Sequence, residues 1–240
     1  MRVEEAEWIS ERLAKLDVGT VLELGSSTRD FRTQTHPHHD RLIHAPLRAK
    51  NVRIILSDLQ PDVDIEIAGD IFSESVQGKL KQVHADAVLC CNMFEHVVDR
   101  ARLASICHDV LRPGGYLIVS VPFSYPYHTD PIDTYFRPTP TEIAAMFPTY
   151  TVIDSAIVAS TSFGQEMAAG SGVLPKELVR RAYRLCKFWL PRDQYVELNH
   201  RMLWLFRPYR ISCLVLRRPG LGNRTEQYFR TGVDCQLGSA

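Results

Sequence analysis

The sequence predicts an α/β fold: a mostly parallel sheet of seven strands with helices on both faces. Three observations carry this. Short apolar runs alternate with stretches of helical periodicity from Thr20 to Val121, the pattern of a parallel sheet wrapped by its own crossovers. Several runs end in a polar residue, as in Leu24-Gly25-Ser26, Ser57-Asp58 and Cys91-Asn92, and the carboxyl ends of parallel strands are where ligands of open α/β sheets bind. The chain has 240 residues, 45% of them hydrophobic, which suits one large domain with a sizeable core.

Taken in order, Glu4 to Leu16 has apolar residues at Ala6, Ile9, Leu13 and Leu16, which is helical spacing ended by Asp17-Val18-Gly19. Thr20–Leu24 is the first strand. Residues 28–50 are polar and histidine-rich, with a helix toward their end. Val52–Leu56 and Val63–Ala68 are the second and third strands, followed by a helix over Ser73–Val83. Ala85–Cys91 is the fourth strand. Val97–Leu111 is helical, Arg112-Pro113-Gly114-Gly115 a turn, and Tyr116–Val121 the fifth strand. Thr139 is placed as the N-cap of a short helix, with Pro140 at its first position. Tyr150–Val158 and Ile211–Leu216 are the last two strands. The stretch between them, 159–210, is too long for a tight connection and reads as a helical insertion. The expected domain spans 1–218, and 219–240 reads as a C-terminal tail.

Charge and composition exclude several classes. The 28 basic residues balance the 28 acidic ones, so no global basic field points to nucleic acid. The first residues lack the apolar core of a secretory leader, and no apolar run approaches the ~20 residues of a membrane span. None of the six cysteines forms a CxxC pair; they read as reduced core thiols of a cytoplasmic protein.

The ends of the strands suggest a ligand. Dinucleotide sites use G-x-G-x-x-G to bring backbone amides to a pyrophosphate. Here Gly25 stands alone and Ser27 fills the next glycine position, while Glu23 sets a negative charge close by. This disfavours NAD and other adenosine-nucleotide ligands. It suits a cofactor with positive charge and no phosphate, S-adenosyl-L-methionine. Asp58 is placed to accept both ribose hydroxyls, Asp70 to read adenine, and Asn92 to face the methionine end or the methyl acceptor.

Leu22-Glu23-Leu24-Gly25-Ser26-Ser27, Ser57-Asp58, Gly69-Asp70-Ile71-Phe72, Asn92-Met93-Phe94-Glu95-His96-Val97 and Leu111-Arg112-Pro113-Gly114-Gly115 occur in the order of a class I S-adenosylmethionine-dependent methyltransferase, and the chain resembles that superfamily over about residues 18–158 plus the final strand. The resemblance implies a Rossmann-like sheet whose last strand is antiparallel, and methyl transfer to an oxygen or nitrogen nucleophile. The family pattern has Gly-x-Gly where this chain has Gly25-Ser26-Ser27. The segment Val121 to Thr139 also resembles a subgroup linked to glycan or cell-surface biosynthesis; a small-molecule or glycan acceptor is expected, with lipid and protein left open. A binding or regulatory module of the same fold, without turnover, is the rival.

The loop 122–137 leaves the fifth strand at the carboxyl edge and is the expected substrate side. His128 and Asp133 are its candidate bases, and Tyr127, Tyr135 and Arg137 its candidate substrate contacts. Glu95-His96 reads as a structural pair with packing or capping duties. His36, His38, His39 and His44 read as a solvated loop over the cleft, and no metal site is expected. Within the insertion, the basic helix-like stretch 174–190 fits a helical pair packed on its own domain, a lid, a surface for an anionic membrane or lipid-linked substrate, or a dimer contact. The sequence leaves the oligomeric state open.

Overall fold

The computed structural model describes residues 1–128, 132–169, 183, 186, 189 and 203–220. Seven strands form one sheet: β1 (Thr20–Leu24), β2 (Arg53–Asp58), β3 (Ile67–Ala68), β4 (Ala85–Cys91), β5 (Leu111–Ser124), β6 (Thr151–Ser162) and β7 (Pro208–Arg217). Their spatial order is β3-β2-β1-β4-β5-β7-β6. β1 pairs in parallel with β2 and β4, and β4 with β5, whereas β7 runs antiparallel between β5 and β6. The order reverses at β1 and β4, so their carboxyl ends open the crevice where ligands of such sheets bind.

Two apolar layers hold the sheet. Leu22, Leu24, Val88, Cys90, Leu117 and Val119 point to one face, against Leu103, Ile106 and Cys107 of the helix Arg100–Val110. Val21, Ala87, Leu89, Ile118, Cys213 and Val215 point to the other. There they meet Ala6, Ile9 and Leu13 of the first helix, α1 (Val3–Leu13), and Ile43 and Leu47 of the segment 31–49. Alternation within runs that are apolar throughout is what a strand covered on both faces requires.

Most expected elements are present, with ends displaced. α1 stops at Leu13 instead of Leu16, and β3 shortens to Ile67–Ala68. The helix expected from Val97 starts at Arg100, because the Asp99 side chain accepts the Arg102 amide and caps it there. Thr139 caps its helix as expected, and Glu142 reaches back to complete a reciprocal capping box. Arg112 to Gly115 is not a separate turn: it lies within β5, which continues past a register shift near Ala85. β6 runs on to Ser162 and β7 begins at Pro208, so both enter the stretch read as insertion.

Residues 31–49 correct the expectation of a solvated loop. They coil into successive helical turns, two of them wide i→i+5 turns at Phe31–Thr35 and Asp40–His44. His39 and His44 are buried there. The stretch 174–190 and the tail beyond residue 220 lie outside the described residues, apart from Tyr183, Cys186 and Trp189, all of them exposed. Cys90, Cys91, Cys107 and Cys213 are free and buried. Cys186 is exposed, which departs from the expected core position. Among the described residues no helix is long and apolar enough to cross a membrane.

Candidate active site

A cleft of roughly 720 Å³ lies over the carboxyl ends of β1, β2 and β4. Glu23, Gly25, Ser27, Asp58, Asp70 and Asn92 all line it. That volume falls within the ordinary range for a small-molecule site.

The loop after β1 is tightly determined. The Gly25 and Ser26 amides donate to the Ser57 carbonyl at 2.8 and 3.1 Å, and the Ser27 amide donates to Asp58 Oδ2 at 2.7 Å. Gly25 sits at φ +70°, and a Cβ there would lie 2.8 Å from the Met93 sulfur, so this position needs glycine on two grounds. Ser27 adopts φ 62° although it carries a side chain. Arg32, 1% exposed, holds it there: its guanidinium donates to the carbonyls of Ser26 (2.9 Å) and Ser27, and to Asp64 Oδ2 at 2.6 Å. Surroundings that over-determine a strained residue are what allow the strain to persist.

Glu23 is 2% exposed, and both its oxygens are engaged. His39 Nε2 lies 2.7 Å from Oε1 and His44 Nε2 2.6 Å from Oε2. The wide turn Asp40–His44 helps set these two rings on one face, with centroids 5.0 Å apart. Burial alone would raise the Glu23 pKa, but the two histidines outweigh it and hold it well below the usual carboxylate range. Glu23 therefore stays ionised at the cleft wall, with its charge engaged by the two imidazoles.

The other acids have structural duties as well. Asp58 accepts from the Ser27 and Gln60 amides, and among the described residues its remaining lone pairs stay open. Asp70 Oδ1 accepts from the Phe72 amide at 2.9 Å. Asn92, at φ 53°, donates from Nδ2 to Glu5 Oε1 at 2.8 Å. Ser26 Oγ and His36 Nδ1 are buried without a hydrogen-bond partner among the described residues, and both residues line the cleft. Unpartnered polar atoms beside a cavity suit a polar ligand.

At the far end the structure rearranges the expected substrate side. Asp133 is 5% exposed and saturated: Arg137 grips both its oxygens, Oδ1 at 3.0 Å and Oδ2 at 2.5 Å, and the His128 and Tyr135 amides donate at 3.1 and 2.9 Å. Burial pushes this carboxyl up, but Arg137 and the two amides outweigh it and hold the pKa below its ordinary value. A carboxylate so occupied is a brace for the loop and not the expected base. Arg137 is spent on the same brace and has no free fork for an acceptor's acid. Tyr127 and Tyr135 stack on each other with centroids 4.7 Å apart, and neither lines the cleft.

His128 does line the cleft, beside Glu95, His96 and Tyr125. Glu95, expected to pack or cap, is 0% exposed and neither carboxylate oxygen has a hydrogen-bond partner among the described residues. Burial pushes its pKa up to about 8. Burial also lowers the His128 pKa, against the opposing pull of Asp133. The remaining wall comes from residues the sequence did not single out. Glu5 of α1 accepts from Asn92 and, at 2.6 Å, from Ser120. Arg2 donates to Ser160 Oγ, Thr161 Oγ1 and Glu166 and lies over the Tyr209 ring. Only the distance from Asn92 to Glu95 was a local signal for any of these; the α1 contacts span more than eighty residues.

Strand order, reversed β7 and a cleft at the β1/β4 switch point define the class: a Rossmann-like methyltransferase domain. The chain matches a family profile described as a methyltransferase domain over residues 2–158, and it belongs to that family. Ubiquinone biosynthesis O-methyltransferases from two strains of Xylella fastidiosa, M23 and Temecula1, are each 29% identical over 119 residues, 48% of this chain and 46% of theirs. The match thus spans about half the length of these curated relatives. Among solved structures, a coclaurine N-methyltransferase bound to N-methylheliamine and SAH superposes with a TM-score of 0.52 at 14% identity, covering 89% of this chain and 69% of that one. That likeness shows the fold alone.

Proposed function

We propose that the chain is an S-adenosyl-L-methionine-dependent methyltransferase acting on an oxygen or nitrogen of a small-molecule or glycan acceptor. The observation that carries this is one continuous cleft with two chemically distinct ends. At one end stand a fixed carboxylate, the Gly25–Ser27 loop and Asp58; at the other stand Glu95, His96, His128 and Tyr125. The family match and the related O-methyltransferases support the reaction class.

The residues fit the cofactor. Asp58 has lone pairs left for ribose hydroxyls, and Asp70 with Ile71 borders the expected adenine position. Ser26 Oγ offers an unused hydrogen-bonding group. Glu23 stays ionised with both oxygens held by His39 and His44, and so fixes the end of β1 beside the cofactor position. The cofactor supplies an electrophilic methyl on a sulfonium, whose departure leaves a neutral thioether that needs no acid. The protein's task is then positioning. Glu5, Asn92 and Ser120 fix the floor of the cleft, and Arg2 with Tyr209 closes its side. For a hydroxyl acceptor, proton release belongs to the Glu95–His128 end.

Calorimetric titration with S-adenosylmethionine and S-adenosylhomocysteine tests the reading, followed by methyl transfer to phenols, amines and glycans. Saturable binding of both ligands with transfer to one acceptor class is expected. Absence of binding for both removes the cofactor assignment. Binding without transfer across the panel points instead to a non-catalytic module.

A further inference from the structure

We propose that Glu95, His96 and His128 form a binding site for a divalent transition-metal ion at the acceptor end of the cleft. One potential ligand atom from each residue lies within 4.8 Å of the other two. His96 Nε2 is 3.7 Å from Glu95 Oε1, and the His96 and His128 rings meet edge to face with centroids 5.0 Å apart. Ligands sharing one tetrahedral ion at ~2.1 Å stand about 3.4 Å apart. Shifts of roughly 1 Å would close the set around an ion.

Three further features favour an ion over a self-contained cluster. Glu95 is wholly buried, lines the cleft, and has no hydrogen-bond partner for either oxygen among the described residues. A buried carboxyl in that state calls for a partner, and a cation is the partner its chemistry fits best. His96 Nδ1 is already hydrogen-bonded to the Ile132 carbonyl, so the ring carries its proton there and presents Nε2 as a free lone pair toward Glu95. His128 Nδ1 stands 3.1 Å from Asp133 Oδ2 without a hydrogen bond, so a small turn of the ring sets Nδ1–H on Asp133 and leaves Nε2 for the ion. Asp133, clamped by Arg137, would steady the liganded ring.

One carboxylate and two imidazoles suit zinc, manganese or iron(II), and three protein ligands leave positions open toward the cleft. An acceptor oxygen bound there would become more acidic and give up its proton to water. That role rests on the methyltransferase reading; the ion site itself does not.

The chelator-treated 240-residue chain titrated with Co²⁺, followed by visible absorption and calorimetry, tests the site. One Co²⁺ per chain is expected, with affinity reduced at least ~10-fold in Glu95→Gln and in His128→Gln. His128 is half-buried at a loop, so its variant keeps the test open should Glu95→Gln fail to fold; thermal unfolding identifies folded samples. His44→Gln, in the other glutamate–histidine cluster, is expected to bind Co²⁺ as the parent does. No saturable Co²⁺ binding, unchanged affinity in folded His128→Gln, or loss confined to His44→Gln each overturns the site. S-adenosylhomocysteine titrated into the same samples separates the two ideas: its failure with Co²⁺ binding intact removes the methyltransferase reading alone, and the converse removes the ion site alone.

Discussion

Two glutamates in this cleft keep company with two histidines each, and they differ in almost everything else. Glu23 has a hydrogen-bonding imidazole on each oxygen, at 2.7 and 2.6 Å, and is held ionised. Glu95 is as deeply buried, has no hydrogen-bond partner among the described residues, and is pushed up to about 8. The residue types are the same, so composition does not separate them. What separates them is whether hydrogen bonding is complete. A complete cluster holds the fold, and an incomplete one awaits something from outside.

The largest expected effect would come from breaking the complete cluster. Glu23→Ala leaves two buried imidazoles without their acceptor, and urea unfolding is expected to show a loss of about 3 kcal/mol. A loss under ~1 kcal/mol would erase the contrast between the clusters. The same cluster has a pH signature. The Glu23 pKa is lowered on folding, so its contribution is fully present above its unfolded value of 4.5 and fades as pH falls through the lower folded value. Parent and Glu23→Gln stabilities, measured from pH 7 downward, should converge only in strong acid. Convergence already by pH 6 would contradict the lowered pKa.

Next in size is Asp133→Asn, which loosens the Arg137 brace and should cost about 2 kcal/mol, since hydrogen bonds to charged groups contribute that much. Once an acceptor is in hand, the shape of its pH–rate profile should not change; loss of a limb would restore Asp133 as the base. Glu95→Leu is expected to go the other way. An apolar group of similar size removes the desolvation cost, and thermal unfolding should show an unchanged or slightly higher midpoint, by about 1 kcal/mol of stability. Marked destabilisation would place Glu95 with Glu23 as a member of the framework. Smallest is Ser27→Gly. Glycine relieves a φ of 62° but adds freedom to the unfolded chain, so the net change should stay within ~1 kcal/mol. S-adenosylhomocysteine affinity falling more than ~10-fold would show that the serine itself serves the ligand; ~1.4 kcal/mol corresponds to that factor.

The sheet was legible because strand burial writes itself locally. β4 begins and ends at the expected Ala85 and Cys91, and the polar residues at the carboxyl ends of β1, β2 and β4 do border the cleft. The duties of those side chains were not legible, because each depends on a partner distant in sequence. Asp58 meets the Ser27 amide, Asn92 meets Glu5, and Glu23 meets histidines whose shared face depends on a wide helical turn. The loop 122–137 misled in the opposite direction. Asp133, Arg137, Tyr127 and Tyr135 looked like equipment for a substrate because they are polar and aromatic on a stiff loop, but they bind one another. Glu95 was read with His96 as a structural pair because a glutamate beside a histidine is ordinary in sequence; only its lack of hydrogen bonds in three dimensions, among the described residues, sets it apart.

The reversed strand has a consequence for how the chain acquires its site. β7 lies between β5 and β6, so β6 has no place in the sheet until β7 has been made and inserted. Tyr209 and Ile211 on β7 complete the cleft wall next to Arg2, which is separated from them by most of the sequence. Such contacts carry a high loop-closure cost and form late. The cofactor end, built from β1, β2 and β4, has its parts long before that. On the proposed assignment of the two ends, a nascent or refolding chain should therefore hold a nucleoside before its acceptor pocket is finished.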